Sequence, residues 1–213
     1  MSRIAAIYLG HFNPPTKAHE RIFTFLEKDY NLYIFPVRFL KGGNEVNTRS
    51  SPFPYTVRKA MIEAILTNNT AKILPDYTFL SPFIKYLPPI ISPYSWMIRN
   101  HIVGNIAEET FITYTGDTIE RLALAAYRLH PIRARRLEIS SSSIKEMLYR
   151  RVLEENFEEP TRPENEKFSW RDRVPEKVID LIKDNWEIIE KFAKAPDLTV
   201  RVMGMKFPKD GFI

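Results

Sequence analysis

The sequence predicts an α/β fold, a doubly wound parallel sheet of about five strands with a C-terminal helical extension. Three observations lead there. Strand-length apolar runs alternate with amphipathic stretches along most of the chain. The first such unit reads strand, glycine turn, helix. Two polar loops, residues 10–16 and 115–117, then fall at strand carboxyl ends, the rim where such sheets bind ligands.

The first strand is Arg3 to Leu9, apolar and β-branched. Gly10 follows and permits a sharp turn with close backbone approach to a ligand. Asn13-Pro14-Pro15 delays helix until about Thr16, and Lys17 to Lys28 places Ile22, Phe23 and Leu26 at helical spacing. Asn31 to Phe39 reads as the second strand, with Pro36 marking an edge or bulge near its end. Tyr55 to Leu66 is an amphipathic helix, Lys72 to Leu74 a short strand, and Ser95 to Val103 a helix. Thr110 to Thr115 is the fourth strand, Thr118 to Tyr127 a helix, and Arg133 to Ile139 the fifth strand. Pro175 to Ala193 reads as one strongly periodic helix. Leu198 to Phe207 reads as a strand that joins a sheet edge or a neighbouring subunit. The domain reading is residues 1–152 as the sheet domain with a proline-rich insertion at 80–94. Residues 153–213 then supply an acidic loop, a helix and a tail packed on the same domain.

Composition bounds the function. The chain has 213 residues, 44% hydrophobic, enough for a sizeable core. It has no cysteine, so neither a disulfide framework nor a thiolate metal site is expected. No apolar stretch is long enough to cross a bilayer and no signal peptide is evident, so a cytoplasmic protein is expected. The net charge of +5 suits anionic substrates. Nucleic acid is not the expected partner, because the basic residues are not interleaved with aromatics in one stripe. Only 7 glycines among many Ile, Lys, Arg and Glu hint at a thermophile.

Two segments carry the chemistry. In the first, the free amides that open the helix after Pro15 favour an anion. Thr16 and His19 are three apart and share a face of the first turn, so a hydroxyl and an imidazole aim at one oxygen-rich group. A plain N-cap and a surface histidine is the alternative. In the second, Ile139 precedes four serines that open a helix with Ile144, Met147 and Leu148 on one side. Ser140 or Ser141 caps it, the remaining hydroxyls make an anion cradle, and Lys145 reaches back from one turn in.

Gly10-His11-Phe12-Asn13-Pro14-Pro15-Thr16-Lys17-Ala18-His19 resembles the (H/T)xGH motif of the class I nucleotidyltransferases, in its threonine form. Ile139 to Lys145 resembles their ISSTxIR-like motif, with lysine where arginine is commoner. Ala18 stands where glycine is usual, and His11 where some members have arginine. The resemblance covers roughly residues 3 to 192 and is closest to archaeal nicotinamide mononucleotide (NMN) and phosphopantetheine adenylyltransferases. It implies a Rossmann-like fold and in-line attack of a phosphomonoester on the α-phosphate of ATP, releasing pyrophosphate. His19, Thr16 and Lys145 are then the catalytic residues. Gly10, His11, Phe12, Asn13, Gly116, Asp117, Ile139, Ser140, Ser141 and Ser142 bind the nucleotide.

Pro52 to Arg58 and Trp96 lean toward NMN as acceptor, so Lys41, Arg49, Arg58 and Trp96 are its expected contacts. Trp96 in the core, Asp117 as a helix cap, and Arg133, Arg135 and Arg136 as edge charges are the structural alternatives. Mg2+ is expected on the triphosphate, which is ATP or CTP, and no protein-bound metal is expected. Members of this superfamily are often homo-oligomers. Phosphopantetheine, a CTP-dependent cytidylyl transfer, or a non-catalytic nucleotide- or RNA-binding protein of the same fold remain the other readings.

Overall fold

A computed structural model describes residues 3–68, 70–74, 78–86, 92–134, 139–154, 169–202 and 205–211. In chain order the elements are β1 (Ala5–Gly10), α1 (Lys17–Asp29), β2 (Asn31–Pro36), β3 (Arg38–Lys41), β4 (Asn44–Glu45) and α2 (Tyr55–Ile65). Next come β5 (Lys72–Ile73), β6 (Thr78–Leu80), a 3-10 turn (Phe83–Tyr86), α3 (Pro93–Gly104), β7 (Phe111–Thr115), α4 (Thr118–Ala126) and β8 (Pro131–Arg133). Then follow α5 (Ser141–Leu153), α6 (Trp170–Arg173), α7 (Glu176–Asp184), α8 (Trp186–Lys194), β9 (Thr199–Val202), β10 (Met205–Pro208) and a second 3-10 turn (Lys209–Gly211).

The five-stranded sheet runs β5-β2-β1-β7-β8, every pair parallel. This is the α/β, Rossmann-like architecture the alternation predicts. Side-chain alternation along the strands explains why helices cover both faces. Ala6 and Tyr8 of β1, with Leu32 and Ile34 of β2, join one cluster with Phe23, Met61, Leu148, Val178 and Ile189. Ala5, Ile7 and Leu9, with Tyr33 and Phe35, join the other with Ile102, Leu124 and Tyr127. So α1, α2, α5, α7 and α8 pack on one face and α3 and α4 on the other. Each large apolar side chain removed from water contributes about 1.5–3 kcal/mol. The direction of winding reverses between β1 and β7, and that crevice faces the loops 10–16 and 115–117.

Several expected boundaries move. β2 sits between β5 and β1, but β5 pairs only Tyr33 and Ile34, so Pro36 lies past the end of that neighbour. Its nitrogen faces the β5 side, like Ile34, so the missing N–H costs no ladder bond there, while Val37 N donates to Gly10 O at 2.8 Å on the β1 side. The chain then leaves for a second sheet, β4-β3-β6, so the expected strand through Phe39 is two strands. The fifth strand pairs from Pro131 to Arg133, earlier than expected; Arg135 and Arg136 lie outside the described residues, as do 87–91 of the insertion and 155–168 of the acidic stretch.

The single helix expected over Pro175 to Ala193 is two, broken at Asn185. There the side chain donates to Leu181 O at 2.9 Å and ψ rises to 34°. The C-terminal segment forms its own hairpin, β9 with β10. Its Phe207 packs on Phe39 and Phe79 of the second sheet. Among the described residues no helix is long and apolar enough to cross a membrane.

Candidate active site

The β1–α1 loop builds the first wall. A Cβ on Gly10 would meet the Phe12 ring at 3.0 Å, so glycine lets that ring fold back over the strand end. Phe12 itself takes a positive φ of 45° and is buried. Its ring stands edge-on to His19, centroids 5.2 Å apart.

Thr16 caps α1 in a reciprocal arrangement. Its Oγ1 accepts from Ala18 N at 3.2 Å, while its own backbone N–H donates to His19 Nδ1 at 2.9 Å. Thr16 Oγ1 also lies 3.0 Å from that nitrogen. A ring nitrogen that accepts a backbone N–H holds no proton, so the imidazole is the neutral Nε2–H tautomer. Burial agrees: it lowers the His19 pKa to about 4. His19 is therefore a fixed hydrogen-bond donor at neutral pH. Thr16, fully buried, holds His19 rather than facing the cleft beside it.

Asn13 ties this loop to the one before α2. Its Nδ2 donates to Ser51 Oγ at 2.8 Å and Phe53 O at 2.9 Å, and its Oδ1 accepts from Phe53 N at 3.2 Å. Its backbone carbonyl accepts from Lys145 Nζ at 2.8 Å. Ser141 Oγ donates to Pro14 O at 2.9 Å. The start of α5 is thus docked on the β1–α1 loop across more than 120 residues of sequence. Ser140 caps α5, its Oγ accepting from Ser142 N at 3.2 Å, and Ser143 Oγ donates to Ser140 O at 2.8 Å. Ser140 and Ser142 are exposed, and Ile139 packs on the core below them.

Cations gather around His11. Arg58 is fully buried; its Nη1 donates to His11 O at 2.8 Å and its Nη2 pairs with Glu45 at 3.0 Å. Glu45 also accepts Tyr55 N at 2.9 Å, capping α2, whose own N-cap, Pro54, has no side chain to do so. Burial, then the charges of Arg58, Lys145 and Lys206, hold the His11 pKa down at about 3. His11 is nonetheless exposed, so solvent screens these charges. Burial and then Lys206 lower Lys145 to about 7, against the opposing charges of Glu146 and Asp197.

Other expected residues are engaged elsewhere. Lys41 pairs with Asp210 at 2.9 Å. Arg49 donates to Ala193 O at 2.9 Å and stacks over Tyr149, fastening the end of α8. Trp96 is half-buried, edge-on to Tyr127 at 5.2 Å. Asp117 is the N-cap of α4, accepting from Ile119 N and Glu120 N. Gly116 beside it is exposed, and Arg133 is exposed at the end of β8.

Sequence reasoning missed Tyr8, Glu120 and Lys206. Thr115 Oγ1 donates to Glu120 Oε2 at 2.6 Å, and burial raises the Glu120 pKa. Burial, then the Glu120 charge, raises Tyr8, whose ring lies 6.3 Å from His19. Position near the carboxyl end of β1 was the available signal for Tyr8, and the first turn after β7 for Glu120; none existed for Lys206. Among the described residues no group of three His, Asp or Glu is placed to hold a metal ion.

Comparison with known proteins follows this geometry. The family model described as cytidylyltransferase-like matches residues 7–147. No curated protein sequence matches. A bifunctional NMN adenylyltransferase/ADP ribose pyrophosphatase from Francisella tularensis, solved with AMP and a manganese ion, aligns with a TM-score of 0.53 at 14% identity, over 92% of this chain and 57% of that one. A second structure of it gives 0.55 at 13% identity, over 92% and 58%. A Vibrio parahaemolyticus protein assigned to the nicotinate-nucleotide adenylyltransferases gives 0.52 at 13%, over 89% and 97%. The chain thus spans 57–58% of the Francisella protein's length, and at these identities the likeness is one of fold. From the match over residues 7–147, this chain belongs to the cytidylyltransferase-like family, within the class I nucleotidyltransferase superfamily.

Proposed function

We propose that the chain is a nucleotidyltransferase that joins a nucleoside triphosphate, ATP in the first place, to a phosphomonoester, with nicotinamide mononucleotide the favoured acceptor. One observation carries this reading. The neutral, tautomer-fixed His19 is held by Thr16 at the end of the same β1–α1 loop onto which α5 docks through Ser141 and Lys145, and the crease between that loop and α5 is where the substrates would meet. The NMN preference rests on the Pro52 to Arg58 stretch and on the likeness in fold to the Francisella NMN adenylyltransferase.

An acceptor phosphate oxygen attacks the α-phosphorus in line; the new O–P bond forms as the bond to the β-phosphate oxygen breaks, and pyrophosphate leaves. Little covalent chemistry falls to the protein, so rate comes from position and charge. His19 Nε2–H donates to an α-phosphate oxygen as negative charge grows there. The hydroxyls of Ser140 and Ser142 and the free amides of the first turn of α5 hold the β- and γ-phosphates. Lys145 stands between the leaving pyrophosphate and the incoming phosphate and offsets their repulsion. Arg58 fixes the His11 carbonyl and so the shape of the loop.

Magnesium fits this site only as a companion of the triphosphate, bound by phosphate oxygens and water, because the described side chains offer no carboxylate cage. It would screen the phosphate charges.

The test is pyrophosphate release from ATP or CTP against nicotinamide mononucleotide, phosphopantetheine and phosphocholine. ATP with the first is expected to turn over fastest. Triphosphate binding with no pyrophosphate from any pair would make the chain a binding protein.

A further inference from the structure

The hairpin β9–β10 lies beyond the stretch matched by the family, yet it supplies a side chain to the crease. Phe207 turns into the apolar cluster with Phe39, and its neighbour Lys206 turns the other way. Lys206 Nζ donates to Ser50 Oγ at 3.2 Å. Ser50 adjoins Ser51, which holds Asn13, whose carbonyl holds Lys145. The two ammonium groups are thus linked through Ser50, the adjoining Ser51 and Asn13, and the Lys206 charge is felt at Lys145. Both are bonded to neutral oxygens, and among the described residues neither is bonded to a carboxylate. Glu146 and Asp197 are the acidic groups felt at Lys145, but neither bonds an ammonium, and Asp197 accepts from Ser50 Oγ and Thr199 Oγ1 instead. Two ammonium groups with no carboxylate bonded to them can take up an anion.

We propose that Lys206 and Lys145 are the two jaws of a subsite for the phosphate dianion of the acceptor, so that the C-terminal hairpin selects the second substrate as a phosphomonoester. This rests on the nucleotidyl-transfer reading of the same crease. Two positive charges match a phosphomonoester, which carries close to two negative charges at pH 7. The triphosphate tail belongs at the start of α5, whereas Lys206 arrives on the side of Ser50 and Arg58. The lowered pKa values of His11 and Lys145, to both of which Lys206 contributes, agree with this placement. Lys145 serves both substrates and Lys206 the acceptor only.

Calorimetry on the full chain tests it with two probes, inorganic phosphate for the acceptor group and inorganic tripolyphosphate for the tail. Lys206→Met is expected to weaken phosphate binding about tenfold, the order of one charge-assisted hydrogen bond, and tripolyphosphate by less than about threefold. Lys206→Arg is expected to restore phosphate binding to within about threefold of the parent, which loss of a merely structural contact would not require. Ser50→Ala, which frees the ammonium without touching the hairpin's apolar side, is the second variant and is expected to weaken phosphate by about threefold. Unchanged phosphate affinity in both Lys206→Met and Ser50→Ala, or equal loss of both probes, overturns the proposal. No turnover is read here. A chain that released no pyrophosphate would sink the transfer reading and leave this result to stand by itself.

Discussion

Two helices start in the crease and use the same N-terminal physics in opposite ways. At α1 the start is closed: Thr16 and His19 satisfy each other reciprocally, and Thr16 is fully buried. At α5 the start is open: Ser140 caps one amide, Ser141 reaches across to Pro14, and Ser142 stands exposed. The closed start fixes a single donor, the Nε2–H of His19, by occupying its other nitrogen. The open start keeps several weak donors available to a ligand with many oxygens. A reacting phosphorus needs one donor in one place, whereas a polyphosphate tail tolerates a cradle.

The largest expected effect breaks the closed start. His19→Ala removes the proposed donor to the α-phosphate and should lower pyrophosphate release about 10²–10³-fold. ATP affinity should stay within a few-fold, because the cradle at α5 is untouched. Near-normal turnover in a stopped pyrophosphate assay removes His19 from the chemistry. Thr16→Ala is the sharper companion. It leaves the imidazole but deletes the hydroxyl beside Nδ1 and one cap bond, at a cost of about 1 kcal/mol of stability. About tenfold loss of rate with ATP affinity unchanged is expected. No loss would mean that the backbone N–H alone fixes the ring.

The second effect separates the helices by pH. His19 is neutral down to about pH 4, so its part of the site shows no inflection near pH 6.5. Lys145, on the open helix, has a pKa near 7 in the free protein, so its charge is lost as pH rises through that value. Tripolyphosphate affinity should therefore be highest below pH 7 and fall above it, with proton uptake on binding at pH 8 seen in calorimetry. The charged groups felt at Lys145 are Lys206, Glu146 and Asp197. Lys145→Arg, which stays charged, should flatten the profile. A midpoint that stays at 7 in the arginine variant assigns it to another group.

The same lysine loads the fold. Its folded pKa lies below the unfolded value of 10.5, so the unfolded chain binds more protons between about pH 7 and 10.5 and parent stability rises with pH across that window. Lys145→Met should then raise the melting temperature at pH 6 by a few degrees, with the gain shrinking toward pH 10. A gain independent of pH would show that packing, not charge, is responsible.

Much of this was legible because it is local. The run Arg3 to Leu9, the glycine and the helical spacing after Lys17 gave β1 and α1 within two residues. The serine run gave the start of α5 for the same reason: capping is decided by a few adjacent residues. What escaped depends on partners distant in sequence. Apolar periodicity runs straight through Asn185, and the break there comes from its side chain bonding Leu181 O. Pro36 did mark the place where one neighbour of β2 ends, but that this neighbour is β5, with β1 continuing on the other side, is set by pairing distant in sequence. Arg49 looked like an acceptor ligand, but its Nη1 donates to the Ala193 carbonyl of α8, 144 positions away. Lys206 carried no signal at all, since only the packing of Phe207 on Phe39 turns it toward the crease.

The smallest expected effect probes the open start. Ser142 is exposed, and its backbone N–H, not its hydroxyl, is what Ser140 caps. Ser142→Ala should leave melting unchanged within about 0.5 kcal/mol and weaken tripolyphosphate only about two- to threefold, because the backbone amides still face the ligand. Ser141→Ala differs in kind. It loses the bond to Pro14 O, so α5 sits less firmly on the loop and the expected cost is about 1 kcal/mol of stability, with turnover falling more than affinity. If the two variants matched in both readouts, the serines would be interchangeable cradle groups. The contact at Pro14 would then add nothing to the alignment of tail and imidazole.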